Sequence, residues 1–210
     1  MSSFRERKGG GLIRAAGPKR LMAPRLRTSG ADVSWLSRAR VGDDQGNIGA
    51  CGLFAMASWA EIMFGKDIPD DFRIMAYRDA CRDLHRGDEG LSFEEAYTFA
   101  KLSGWLPGTQ RVVQVYDLDN LPRQPILAGY MITPAWDFPN EVGCLDHAAP
   151  RTDRGYHAVC IVAHGRIEPM PDTPLVYIEN SWGVHWGWRG IGVMTEALHN
   201  ELCGELWVIE

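Results

Sequence analysis

The sequence predicts an α+β protein in which the helices come before the strands, and three observations carry that reading. Residues 51–64, CGLFAMASWAEIMF, are apolar on nearly every face, with Glu61 the single charge. A helix that is greasy all round is a buried one. Two further helical stretches follow it. After Pro107 the chain turns to short runs rich in Val, Ile, Leu and Tyr, separated by Gly and Pro. Helices first and strands second make a segregated arrangement.

Taken in order, the body begins near Val33-Ser34-Trp35-Leu36. The buried helix starts at Cys51. Pro69 to about His85 reads as a second, more amphipathic helix, and a third starts at Ser92. There Ser92-Phe93-Glu94-Glu95 fits a capping box, and Gly104 supplies a stop. The expected strands are Val112–Tyr116, Ile126–Ile132, His157–Ala163, Leu175–Asn180, Gly192–Thr195 and Leu206–Ile209. No internal repeat or low-complexity tract interrupts them.

At 210 residues, 45% apolar and with eight tryptophans, the chain has material for one domain or two small lobes on a shared cleft. No run approaches the ~18 apolar residues of a membrane span, and no apolar core of a secretory signal follows the basic start. Residues 1–30 hold eight basic side chains against Glu6, a charge of +7; the whole chain is −5, so the other 180 residues carry −12. This predicts a basic, flexible arm over residues 1–32 ahead of an acidic domain at 33–210, the arm being a candidate contact for a protein partner. Nucleic acid is not expected, because the body is acidic and only Phe4 interleaves with the basic residues. The five cysteines are odd in number and lack a CxxC pair, so a disulfide framework is not predicted. A reducing setting follows, cytoplasmic or within a viral or phage assembly.

Three segments stand apart from this background. Gln45-Gly46-Asn47-Ile48-Gly49-Ala50-Cys51 runs straight into the buried helix. It puts a thiol at a helix N-terminus, where amide groups and the dipole favour the thiolate. Gln45 can return across the turn to offer its amide as a donor. In Gly155-Tyr156-His157-Ala158-Val159 a histidine opens an apolar strand and can aim its ring into a cleft. In Glu179-Asn180-Ser181-Trp182-Gly183, followed by Trp186-Gly187 and Gly190, an Asn beside an indole can hold that ring in one orientation.

These segments resemble the papain family of cysteine peptidases, which has a QGxxGxC segment before its central helix, a His-Ala opening a strand, and an NSWGxxWGxxG block. Gln45 to Cys51 and Asn180 to Gly190 match at every fixed position, and order and character agree from about Trp35 to Ile209. The resemblance implies a two-lobed fold. Its helical lobe, about 45–110, would hold the central helix, and an antiparallel barrel-like β lobe would span about 111–210. It implies that Cys51 is the nucleophile, His157 its acid–base partner, Asn180 the orienter of that ring and Trp182 its cover. Gln45 would share the oxyanion hole with the N–H of Cys51. No cofactor or metal is implied, and the partners are peptide or protein substrates.

Departures and competitors complete the reading. Ile48 stands where the family usually has a disulfide cysteine, and Gly52 where an aromatic commonly follows the nucleophile. Cys144-Leu145-Asp146-His147-Ala148 offers a second Asp-His-Ala, but Ala149-Pro150-Arg151 cannot continue as a buried strand, whereas five strand formers follow His157. A metal site at Cys144 and His147 lacks a second ligand pair. Arg86-Gly87-Asp88-Glu89-Gly90 is expected to line one side of the cleft, with the Cys51 sulfur at its mouth. Peptidase, transglutaminase-like and deamidase chemistries would share this machinery, and a structural subunit retaining the fold is the alternative to an enzyme.

Overall fold

The structure, a computed structural model, describes residues 33–137, 139–140, 143–145, 148–150, 152–167 and 170–210. The basic arm and the competing Asp146-His147 pair lie outside the described residues. Helix α1 spans Cys51–Phe64 and buries every residue from Cys51 to Ile62. Each of Leu53, Phe54, Met56 and Ile62 contributes about 1.5–3 kcal/mol on burial. Packing therefore holds this helix, since no side chain caps its N-terminus. Gly65, in the left-handed region at φ 65°, ends it by donating to the carbonyl of Glu61.

Helix α2, Asp70–Asp83, is amphipathic as expected and buries the stripe Arg73, Ala76, Tyr77 and Ala80. Helix α3, Phe93–Leu102, carries the expected capping box: Glu95 N–H donates to Ser92 Oγ at 3.2 Å and Ser92 N–H to Glu95 Oε2 at 2.9 Å. Gly52 is explained here. A Cβ on it would come within 3.3 Å of the Ala96 Cβ, so α1 and α3 pack too closely for an aromatic at that position.

The strands are β1 Val33–Ser34, β2 Val112–Val115, β3 Ile126–Met131, β4 Tyr156–Ile167, β5 Met170–Glu179, β6 Ile191–Thr195 and β7 Cys203–Ile209. They form one antiparallel sheet in the order β2-β7-β3-β4-β5-β6, with β1 beside β4. Successive residues of β4 alternate between two apolar clusters. Ala158, Cys160 and Val162 face the cluster built on α1, while Val159 and Ile161 join Trp136, Trp186 and Leu206 on the other side. A sheet covered on both faces reads as an unbroken apolar run, as these strands do.

Beyond the short β1 and a longer β4, three features differ from the sequence reading. Helix α4, Glu196–Leu202, follows β6 with Thr195 as its N-cap, its Oγ1 accepting from Leu198 N–H at 3.2 Å. A 3-10 turn spans Pro134–Trp136. Strand β5 starts at Met170, not Leu175, because its proline-bearing first half pairs with β4 alone and the ladder to β6 begins only at Leu175.

Candidate active site

The segment leading into α1 lies against the segment that follows β5. Asp44 bridges to Trp182, Gln45 N–H donates to the Ser181 carbonyl at 2.9 Å, and Gly183 N–H donates to that of Asp43 at 2.8 Å. Cys51 is therefore delivered as the first residue of α1 from a strand-like approach fixed to the Asn180 segment. Helix α1 packs on β4, whose second residue is His157, and Cys51 shares an apolar cluster with Ala158 and Cys160.

His157 Nε2 lies 2.7 Å from Asn180 Oδ1, and Ser181 N–H donates to the same oxygen at 2.8 Å. A backbone N–H can only donate, so that atom is the amide oxygen and Nε2 is the protonated ring nitrogen. The proton-exchanging nitrogen is then Nδ1. Trp182 lies over the ring at 4.7 Å between centroids. Two indoles that the sequence reading did not assign complete the enclosure. Trp136 meets His157 edge-on at 6.1 Å, and Trp186 stacks on Trp136 at 6.0 Å while donating its N–H to the Trp136 carbonyl at 2.8 Å. Thr133-Pro134 ahead of Trp136 is a legible turn start, a cap followed by a proline, and could have marked it.

Gln45 is fastened at both ends of its amide. Its Oε1 accepts from Ser181 Oγ at 2.5 Å, and its Nε2 donates to the Ile48 carbonyl at 2.7 Å. An amide nitrogen has two hydrogens, so one donor remains beyond the bond to Ile48. The glycine in the Trp186-Gly187 pair is required by its backbone: φ is 55°, and a Cβ would lie 2.3 Å from the Ile191 carbonyl.

The sulfur does not stand at an open mouth. Cys51 is 0% exposed, with His157 and Asn180 each at 2%. A cavity of about 410 Å³ lined by Arg38, Arg40, Glu61 and Lys66 lies near the other end of α1, roughly 15 Å along the helix. It does not serve this site. The loop 86–90 does stand beside the nucleophile. Asp88 Oδ1 accepts from Gly49 N–H at 2.6 Å and from Tyr77 Oη at 2.8 Å, while Gly90 N–H donates to Tyr77 Oη at 3.1 Å. Burial, then bonds to Cys81 and Asp88, raise the Tyr77 phenol, so it stays a donor. Asp88 and Glu89 are both exposed, and Asp88 is committed to holding the loop.

Gly49 is the tight point of this contact, since a Cβ would lie 2.7 Å from Tyr77 Oη and 3.0 Å from Asp88 Oδ1. Gly49→Ala is expected to push the loop away and cost about 1–3 kcal/mol. Thermal unfolding of the variant checks it; an unchanged melting temperature would mean the loop yields freely.

No protein-family model matches the chain, and no curated protein does. Solved structures do. Xylellain, a cysteine protease from Xylella fastidiosa, superposes at TM-score 0.69 over 100% of this chain and 98% of its own, with 17% identity. Digestive procathepsin L 3 from the larval midgut of Tenebrio molitor gives 0.66 over 97% and 76%, with 16% identity. Bromelain from Ananas comosus, solved with the E64 inhibitor, gives 0.58 over 85% and 97%, with 15% identity. The chain has the α+β fold of the papain-like cysteine proteases.

Proposed function

We propose that this protein is a thiol peptidase in which Cys51, His157 and Asn180 do the chemistry and Gln45 stabilises the transition state. The observation that carries this reading is the His157–Asn180 bond, with the amide orientation fixed by Ser181. That bond leaves Nδ1 to trade a proton with a thiol at the start of α1. The Cys51 thiolate attacks the peptide carbonyl carbon, and the electron pair moves to oxygen. The second Gln45 N–H and the N–H of Cys51 receive the oxyanion, an arrangement whose single donors are worth about 2.7–4 kcal/mol. Collapse expels the amine, which takes its proton from His157. Water, deprotonated by His157, then releases the acid from the thioester. The three indoles keep bulk water from the His157–Asn180 bond.

With five cysteine thiols in the chain, selective alkylation is the deciding experiment. Burial pushes the thiols of Cys160 and Cys203 well up. Iodoacetamide should therefore modify Cys51, at the helix start, ahead of the buried Cys160 and Cys203, and digestion of a peptide library should halt in step with the Cys51 label and not with labelling of the half-buried Cys81 and Cys144. Uniform labelling, or cleavage that survives alkylation of Cys51, sinks the reading. Release of ammonia from glutamine or acyl transfer to an added amine, in place of cleavage, would keep the nucleophile and change the reaction.

A further inference from the structure

Three buried carboxylates converge at the C-terminal half of α1, from elements that each carry one residue of the site. Asp43 lies two residues before Gln45, Glu61 lies on α1, and Glu179 ends β5 next to Asn180. They are 2%, 5% and 3% exposed, and one oxygen of each lies within 4.8 Å of the others. Arg73 of α2, 0% exposed, enters this cluster. Its Nη1 donates to Asp43 Oδ2, its Nε to the Ile68 carbonyl at 2.7 Å, and its Nη2 lies 2.8 Å from Glu61 Oε1. Arg40, at the rim, approaches Asp43 at 3.3 Å and Glu61 at 3.5 Å.

After these contacts Glu61 Oε2 has no hydrogen-bond partner, Asp43 Oδ1 has only the Arg40 ion pair at 3.3 Å, and Glu179, with no well-aligned donor on either oxygen, has only the Ser58 hydroxyl to act on its carboxylate. Two guanidinium groups face three carboxylates, so full ionisation would leave one uncompensated negative charge in a dry site, an expensive state. One proton removes it. The surroundings add more negative charge. Asp70 of α2 accepts from Asp44 N–H at 3.0 Å, and Asp67 lies 3.3 Å from Arg40. Cys160 of β4 stands opposite Glu179 in the ladder.

We propose that Glu179 is a neutral carboxylic acid sharing its proton with the Asp43–Glu61 pair, and that it is thereby a positioning residue tying the backbone before Asn180 to the Gln45 loop and to α1. Its positioning role rests on the peptidase reading above; its protonation does not. Burial is the chief cause that holds the Glu179 carboxyl well above the ordinary range, reinforced by Asp43 and Glu61 and opposed by Ser58 and Arg73. Burial likewise pushes Asp43 up to about 6.

The sign of the pH effect follows. An unfolded glutamate ionises near about 4.3, so above that pH the folded chain keeps a proton that the unfolded chain has lost. Stability therefore falls as pH rises towards the folded pKa. Asp43, raised to about 6, is mostly ionised above about pH 7, so the difference there between wild type and Glu179→Gln reports chiefly Glu179.

The test compares the full-length wild type with Glu179→Gln. Infrared spectra of the wild type slightly above neutral pH should show a carboxylic-acid carbonyl band that shifts in heavy water and is absent from the variant. Above about pH 7 the wild-type unfolding constant should climb with pH more steeply than the variant's, by up to about tenfold per unit, one proton's worth, until Glu179 ionises. Glu179→Ala should lower kcat by up to about 10²-fold with little change in KM, and Glu179→Gln should restore it. If Glu179→Gln does not fold, Asp43→Asn must move loss of the band to lower pH, because the nearest repelling charge is gone.

Absence of the band together with parallel stability slopes overturns the proposal. So does stabilisation of the wild type, but not of Glu179→Gln, by millimolar calcium or manganese, which would put a cation where the proton is argued to sit. The band and the slope need no turnover. An inactive protein showing both sinks the peptidase reading and the positioning role with it but leaves the protonation standing, and an active one showing neither sinks only this proposal.

Discussion

Cys51→Ala is expected to lower kcat/KM for peptide hydrolysis by roughly 10⁴-fold or more, with His157→Ala close behind and the double variant scarcely worse than either. Residues that act as one unit lose their effect together, so near-additive losses would argue against a shared proton. The fold should survive the alanine. Cys51 sits at the end of a helix whose other buried residues, Leu53 to Ile62, hold it in the core, and removing one sulfur leaves a small cavity. Initial rates against a peptide library, read beside the melting temperature, separate lost chemistry from lost structure. Hydrolysis persisting in Cys51→Ala, or disappearing only because the variant unfolds, would remove the nucleophile from the mechanism.

The parts of this molecule legible in the sequence are those written in short range. The greasy run from Cys51 reads as the central helix because no face of it is polar, and Ser92 with Glu95 announces α3 because both halves of the box are three residues apart. Asn180 to Gly190 could be read as a block for a similar reason: its glycines are dictated by local backbone, as Gly187 shows. What escaped depends on distant partners. Trp136 becomes a wall of the His157 enclosure only when β3 and β4 pair and the following turn folds back on Trp186. The first half of β5 was hidden by Pro171 and Pro174, which strand propensity penalises. They are tolerated where only β4 adjoins. The expectation of a sulfur at an open mouth failed because burial of Cys51 is set by packing from several elements. Arg73 was unremarkable in sequence, one basic residue in an amphipathic helix, and nothing local told that Asp43, thirty residues earlier, would be its partner.

That buried arginine carries the second large expected effect. Arg73→Met should destabilise the protein by about 3–5 kcal/mol at neutral pH, the range for breaking a buried ion pair from one side. Against a total stability of about 5–15 kcal/mol, this approaches unfolding. Methionine keeps the volume and the packing on Phe54, over whose ring the guanidinium now lies at 5.2 Å, so the loss reports charge more than shape. With the cation gone, Asp43, already raised to about 6, must bind a proton to stay buried. Its folded pKa then stands further above the unfolded one, and the folded state takes up a proton that the unfolded state does not. The penalty should therefore shrink as pH falls from neutral towards about 5 and grow as it rises. Urea midpoints at the two pH values, at constant slope, measure it. Arg73→Lys should rescue little, because an ammonium cannot serve Asp43, Glu61 and the Ile68 carbonyl in one plane. Adding Glu61→Gln to Arg73→Met should recover part of the loss by removing one of the stranded charges. A penalty below about 1 kcal/mol, or one equal at both pH values, would mean that water reaches the cluster. The dry-site argument for a proton on Glu179 would fall with it.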